Sequence, residues 1–455
     1  MCLVPMFLWC VSGLTHPIMA NWFRVQPAHR TAPITHIDHA TVKLTLQQVL
    51  EKNKITDFNN IGIKQINQQW YYSIEKEGAL LFFSVKTGEE LIDGDEVYAK
   101  ELASYYLGKA EVKAVDVNIV HQFTQEYKLI NRHLPVYKVS FNDKAKSDVF
   151  VHLPSGGLGT INDGFKRTQL WMFSNFHNWS FLGDNHTVKP FFVFVFSAMS
   201  FVVGVLGLYI YFVNRKKYKK RKKGNSKLKQ RNIHRYISVP ASVFYLMFSF
   251  SGAYHALQKF EKYFLNQYQP VHTFKVEDVN QNFLELPNLE QLQRISLVKI
   301  KGEIYYRVAY YKNPKASYYK VQDLEHLINA DEVYAKQRAQ EITGLNTENL
   351  NEVSLITRYQ QNYGFINKRL PVYHVQFNDD LNTQCFVETA SGIPGAVVNK
   401  VKKREALSFI MLHKFHFLDP IGKGNRDIII GLAVLAIVFV MFSGLRVFLQ
   451  TILNR

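Results

Sequence analysis

Four stretches of the chain are long, apolar and almost free of charge, and two long stretches between them are polar with mixed signs. The apolar runs are Met1–Phe23, Pro190–Val213, Tyr236–Gln258 and residues 428–450. A helix needs about 20 such residues to cross a hydrocarbon core of ~30 Å, so each run predicts a transmembrane helix. The polar stretches, 24–166 and 259–404, carry short runs of apolar alternation instead. WYYSI at Trp70–Ile74 and LLFFSV at Leu80–Val85, joined by a turn-like EKEG, read as a hairpin. A helical pattern over Asp95–Leu107 follows, then strands around Ala114–Val120, Val136–Phe141 and Asp148–Leu153, which together make a small α+β module. Aromatic, lightly charged segments at 167–189 and 405–427 lead from each module to the next span. Both read as helices lying at the membrane interface, with Trp171 and Trp179 in the headgroup belt. The expected fold class is a membrane protein, an α-helical bundle of four transmembrane helices with two extracytoplasmic α+β modules.

The interval 214–235 orients that bundle. From Arg215 to Arg235 it reads RKKYKKRKKGNSKLKQRNIHR, with twelve Lys or Arg among 21 residues and no acid. A short basic loop between two spans stays in the cytoplasm. The second helix therefore runs inward, the third outward, and both modules lie on the extracytoplasmic side. The same loop accounts for most of the formal net charge of +18; elsewhere the charges nearly balance, which argues against a nucleic-acid binder. The other reading of the first run is a signal peptide ending near Ala20, but it lacks the basic n-region such peptides use. Cys2, Cys10 and Cys385 make no disulfide framework.

The second half of the chain repeats the first. LIDGDEVYAKELA from Leu91 matches LINADEVYAKQRA from Leu327, and YKLINRHLPVYKVSFND from Tyr127 matches YGFINKRLPVYHVQFND from Tyr363, both at an offset of 236 residues. The same offset sets His177, Phe181 and Leu182 on His413, Phe417 and Leu418. The first span aligns with the third at an offset of 239, Ser12, Gly13 and His16 falling on Ser251, Gly252 and His255. Each half reads as span, module, interfacial helix, span, in the same orientation. His234 in NIHRYISVPAS aligns upstream of Met1, so the native chain is expected to start earlier, or the first span to have lost its cytoplasmic turn.

Four histidines therefore recur in pairs, His16 with His255 and His177 with His413, all at the outer level of the bundle. An ionisable group in an apolar helix is expensive unless it has a task. Neutral imidazole is the usual axial ligand of haem iron, and opposed histidines on neighbouring helices are how a bundle holds it. The ordinary reading of any one of them is a helix-end cap; the coincidence of two pairs in repeat and depth favours ligation. Ser12-Gly13 and Ser251-Gly252 would allow close helix or macrocycle approach. His234 lies 21 residues before His255, roughly 31 Å along a helix, at the cytoplasmic face. It would ligate a second, inner haem if an upstream histidine joined it, and otherwise reads as headgroup-facing. His36 and His39 read as a surface pair, and Asp95-Glu96 and Asp331-Glu332 as first-turn acids favoured by the helix dipole. His416 has no counterpart, Ser180 standing at its position in the first half. No Ser-His-Asp constellation, phosphate loop or dinucleotide fingerprint is present.

NIHRYISVPASVFYLMFSFSGA at the third span, LHKFHFLD at Leu412–Asp419 with its weaker copy FHNWSFLGD, and the paired modules resemble the PepSY-associated transmembrane family of bacterial inner-membrane proteins. The resemblance covers nearly the whole chain, the modules looking like PepSY domains; the sequence departs from the pattern at its shortened first span. Some family members are ferric-siderophore reductases with two b-type haems. For this chain the resemblance implies haem b, one or two, ligated by His16, His177, His255 and His413, with His234 the candidate for an inner site. Electrons from a quinol or a cytoplasmic reductase would reach a ferric-siderophore in a vestibule formed by the modules on the periplasmic side. The rival reading is a non-enzymatic, membrane-anchored PepSY protein that binds or restrains a peptidase or peptide. A transporter is third, because the repeats are parallel and no intramembrane carboxylate is present.

Overall fold

The computed structural model describes residues 3–453 apart from 24, 35–36, 38, 110, 132, 184–186, 220–225, 261–269, 271, 312, 314, 361–362 and 365–368. His36, and residues 220–225 of the basic loop, lie outside the described residues, as do the side chains of His16 and His39. Helix α1 (Leu3–Trp22) opens the chain. Then come α2 (Leu46–Lys52), β1 (Asp57–Phe58), β2 (Asn60–Ile66), β3 (Gln69–Lys76) and β4 (Ala79–Ser84). Next are α3 (Gly94–Leu107), β5 (Ala114–Val120), β6 (Val136–Phe141), β7 (Asp148–His152) and β8 (Gly157–Asn162). Helices α4 (Gly164–Met172), α5 (Val188–Lys219) and α6 (Ser226–Leu257) follow. The second polar stretch holds β9 (Phe274–Lys275), β10 (Leu292–Ile300), β11 (Glu303–Tyr310), β12 (Ser317–Lys320), α7 (Ala330–Thr343), β13 (Leu350–Ile356), β14 (Val372–Phe377), β15 (Gln384–Glu388) and β16 (Ile393–Val398). Helices α8 (Lys400–Ser408) and α9 (Lys423–Ile452) end the chain.

These elements form two compact units. The helical unit comprises Met1–Arg24, Phe165–Tyr263 and Lys400–Arg455. Three of its helices, over Val188–Arg215, Gln230–Leu257 and Lys423–Ile452, are long and apolar enough to cross a membrane. Their outward positions are apolar, as on Val202, Tyr209, Leu432 and Phe442, which suits lipid better than water. Inside, Met6 and Cys10 of α1 meet Val434 and Ile437 of α9 and Phe244 of α6. Hydroxyls within the helices are satisfied locally: Ser200 donates to Phe196 O at 2.7 Å and Ser249 to Tyr245 O at 2.7 Å.

The sheet-rich unit comprises Val25–Gly164 and Phe264–Asn399. Each polar stretch builds an antiparallel three-stranded sheet, β2-β3-β4 or β10-β11-β12, and a four-stranded one, β5-β6-β7-β8 or β13-β14-β15-β16, with one 14-residue helix, α3 or α7. The two stretches share one core in which Tyr72, Phe83 and Ile61 pack with Phe283, Tyr306 and Val308. In the first four-stranded sheet the Tyr127 ring lies over Gly159, where an added Cβ would sit 2.7 Å from its hydroxyl. Gly395 stands in the same relation to fully buried Tyr363, and a Cβ there would overlap the Tyr363 hydroxyl. Gly395→Ala is expected to destabilise this unit by about 1–3 kcal/mol through overpacking. A melting temperature equal to wild type in a thermal scan would contradict that packing.

Candidate functional site

The two aromatic approach segments do more than skirt a membrane. Helix α4 runs into a π-helical turn, Phe173–His177, and α8 into another, Phe409–His413. In each the chain closes a wider hydrogen bond, Asn178 N to Phe173 O and Lys414 N to Phe409 O, both 3.1 Å. A π turn swings side chains off helical register and is frequent at functional sites. Each is followed by a non-glycine residue in left-handed conformation, Trp179 at φ 55° and Phe415 at φ 52°, a backbone strain of about 1–3 kcal/mol that packing must hold. The packing is visible: Trp179 stacks on Trp9 of α1 at 5.3 Å, and Phe415 on Phe248 of α6 at 5.2 Å. Trp179 is 6% exposed and Phe415 0%. This corrects the headgroup-belt expectation for Trp179, which is buried in the helical unit; Trp171 is exposed. An indole in left-handed backbone stays only where its ring gains a buried partner, and Trp9 is that partner.

These turns bring His177 and His413 together, ring centres 6.1 Å apart and planes nearly perpendicular at 83°. Each ring is held from the helix beside it. His177 Nδ1 lies 3.2 Å from Ser12 Oγ and His413 Nδ1 3.1 Å from Ser251 Oγ. The serines donate their one proton to helix carbonyls, Ser12 to Leu8 O at 2.6 Å and Ser251 to Phe248 O at 3.1 Å. With the serine protons on those carbonyls, the imidazole Nδ1–H is the donor and the lone pair lies on Nε2. Burial, and after it the neighbouring His177, pushes His413 well below the usual imidazole range, so it stays neutral. Phe173 and Phe409 stack on the two rings at 4.5 and 4.8 Å.

The remaining sequence candidates are arranged differently. His255 pairs through Nδ1 with Glu405 of α8, and the Phe409 ring lies against both His255 and His413, at 4.7 and 4.8 Å. His255 and His413 therefore do not face each other directly. The backbone of His16 lies in α1. His234 does not face headgroups: its Nδ1 lies 2.8 Å from Ser443 Oγ of α9. It lines a cavity of about 370 Å³ with Gly204, Tyr211, Arg235, Ser238 and Met441. Gly444 lets α9 approach, since a Cβ there would meet the His234 ring at 3.1 Å. His416 bonds Asp419 at 2.8 Å at the exposed edge. Sequence reasoning missed Glu405, Ser443 and the holding role of Ser12 and Ser251. The serines were legible only as small residues, and the signal that could have found their role was their recurrence beside paired histidines.

These residues fit haem. Two neutral imidazoles with Nδ1 engaged offer Nε2, the arrangement that orients a ligand to metal. His177 and His413, with ring centres 6.1 Å apart, would hold the group through these two nitrogens. The Trp179 indole N–H is buried with no partner among the described residues, a donor that a bound acceptor would satisfy.

A family model described as the PepSY-associated TM region matches residues 1–283. No curated protein and no solved structure matches the chain.

Proposed function

The chain belongs to the PepSY-associated TM region family, and we propose that it is a haem b-containing oxidoreductase that reduces ferric-siderophore iron on the periplasmic side of a bacterial inner membrane during iron uptake. Membership itself gives the coarser statement, a membrane PepSY protein. The finer one is carried by His177 and His413, serine-anchored through Nδ1 with ring centres 6.1 Å apart. Helix α1 serves as the fourth span beside the three apolar helices. Bound at this pair, haem supplies a one-electron carrier.

The chain's own residues hold and orient. His177 and His413 would hold the metal through Nε2, with Ser12 and Ser251 fixing their rotation and Phe173 and Phe409 stacked on the rings. His255, oriented by Glu405, and His16 at the corresponding level of α1 form the second candidate pair. His234, oriented by Ser443 beside the 370 Å³ cavity, is the candidate ligand at the inner end. One electron from a quinol or a cytoplasmic reductase converts the chelated ferric ion to ferrous, which siderophores hold less tightly. A dithionite-reduced minus air-oxidised visible spectrum of the detergent-purified chain, with haem quantified per chain, tests this. A b-type signal is expected. A flat spectrum from protein made with ample haem would transfer the reading to a membrane anchor whose sheet-rich unit binds a peptidase or peptide.

A further inference from the structure

Within the sheet-rich unit, cationic side chains from separate strands gather around the two hairpin turns that follow β7 and β15. Lys64 of β2 donates from Nζ to Pro154 O at 3.0 Å. Arg294 of β10 donates from Nη2 to Ala390 O at 3.0 Å, and Arg307 of β11 donates to the same oxygen and to Thr389 O. Two guanidinium groups thus share one carbonyl. Arg369, 2% exposed, pairs with Glu388 at the foot of the second turn. His133 and His152 stack at 4.7 Å at the foot of the first, where His152 Nδ1 lies 2.7 Å from Ser155 Oγ. Pro154 and Ala390, His133 and Arg369, and His152 and Glu388 are all related by the 236-residue offset of the repeat. One half presents stacked imidazoles where the other presents an ion pair.

These groups feel one another across the two turns. Burial and then Arg294 push Lys64 down to about 7. Burial and then Arg307 push Arg294 down to about 10, with Arg369 adding to the repulsion and Glu388 opposing it. Burial, followed by His133, Arg369, Arg294 and Lys64, holds His152 neutral well below its usual range. The carboxylates in reach are Glu388, taken by Arg369 and Ser391, and Asp331, which accepts from Tyr318 at 2.7 Å beside Arg307. Four cationic side chains against two carboxylates leave an excess of positive charge in a desolvated setting, which is costly without a counter-ion. Lys64, Arg294, His133 and His152 are nonetheless only half-buried.

We propose that this cluster of Lys64, Arg294 and the stacked His133–His152 pair binds a small multivalent oxyanion carrying carboxylate or phosphate groups. Guanidinium groups suit both, because their planar fork bonds two oxygens at once. On the reductase reading, which this refinement of substrate class rests on, the ferric chelate received here is an anionic, carboxylate-bearing one; the anion site itself does not depend on haem.

The test is thermal unfolding of the full chain in detergent with citrate, inorganic phosphate or chloride at matched ionic strength, for wild type, Arg294→Gln and Lys64→Gln. Citrate or phosphate is expected to raise the melting temperature saturably by about 5 °C, with chloride ineffective. Whichever of the two acts identifies the oxyanion. Each variant should bind it at least tenfold more weakly, yet melt no lower than wild type without anion, because a like-charged neighbour has been removed. No saturable shift with either oxyanion, or the same shift in both variants, overturns the proposal. Haem with no anion shift would sink this inference alone; an anion shift with a flat visible spectrum would sink the redox reading alone.

Discussion

Replacing His413 with alanine is expected to remove one bound haem per chain, seen as an at least tenfold loss of the corresponding reduced-minus-oxidised absorbance. The imidazole is neutral, half-buried and fixed by Ser251, so its Nε2 would be a ligand with its orientation already set. The phenyl rings packed on it offer no ligand atom. The Phe409 ring lies against both His413 and His255, and Phe248 packs edge-on against His413 at 5.3 Å. Ser251→Ala should retain haem with affinity weakened roughly 10–100-fold, the usual cost of losing the group that orients a metal ligand. His416→Ala, at an exposed ring paired with Asp419, should leave the spectrum unchanged. Full haem occupancy in His413→Ala would remove this histidine from the ligand set.

The elements of the fold were unequally legible in the sequence. Strands Ala114–Val120 and Val136–Phe141 coincide with β5 and β6, and the helix at Asp95–Leu107 with α3 but for its first residue. Period-two alternation and first-turn acids mark such elements locally. Strands β2 and β8 escaped because their apolar runs are short and interrupted by Gly62 and Gly159, so alternation alone could not separate them from loop. The π turns escaped for a different reason. A helix that widens by one residue has no composition of its own, and FSNFH or FIMLH reads as ordinary amphipathic helix. The consequence is that the repeat paired His177 with His413 in sequence without revealing the serines that hold them.

The cationic cluster was invisible for a third reason: no spacing connects Lys64, Arg294, Arg307 and Arg369, which come from two stretches of chain and gather where β2 and β10 pack side by side. Leu297 N donating to Asn60 Oδ1 at 3.0 Å pins those strands to each other. The one hint was a mismatch inside the repeat, where His133 and His152 stand for Arg369 and Glu388. A repeat kept in its core but altered at paired polar positions points to a place where the two copies act jointly.

That altered pair carries the second large effect. Glu388→Ala is expected to destabilise the sheet-rich unit by about 3–5 kcal/mol, the usual cost of leaving one partner of a buried ion pair behind. Arg369 is 2% exposed and Arg294 already adds like charge, so the guanidinium has nowhere to go for water. Burial alone would raise the Glu388 carboxyl, but Arg369 first, then His133 and the Ser391 hydroxyl, bring it down to about 2. Its folded value therefore lies below the unfolded value of about 4.3, and the stability it contributes is complete above that pH and lost as pH falls toward 2. Wild type should weaken across this window, while Glu388→Gln, which cannot titrate, should start lower and stay flatter. Thermal scans of the full chain from pH 6 to pH 3 read both slopes. Parallel curves for the two proteins would mean that the Arg369–Glu388 pair is neutral to folding, and that packing around Tyr363 and Phe386 holds the turn without it.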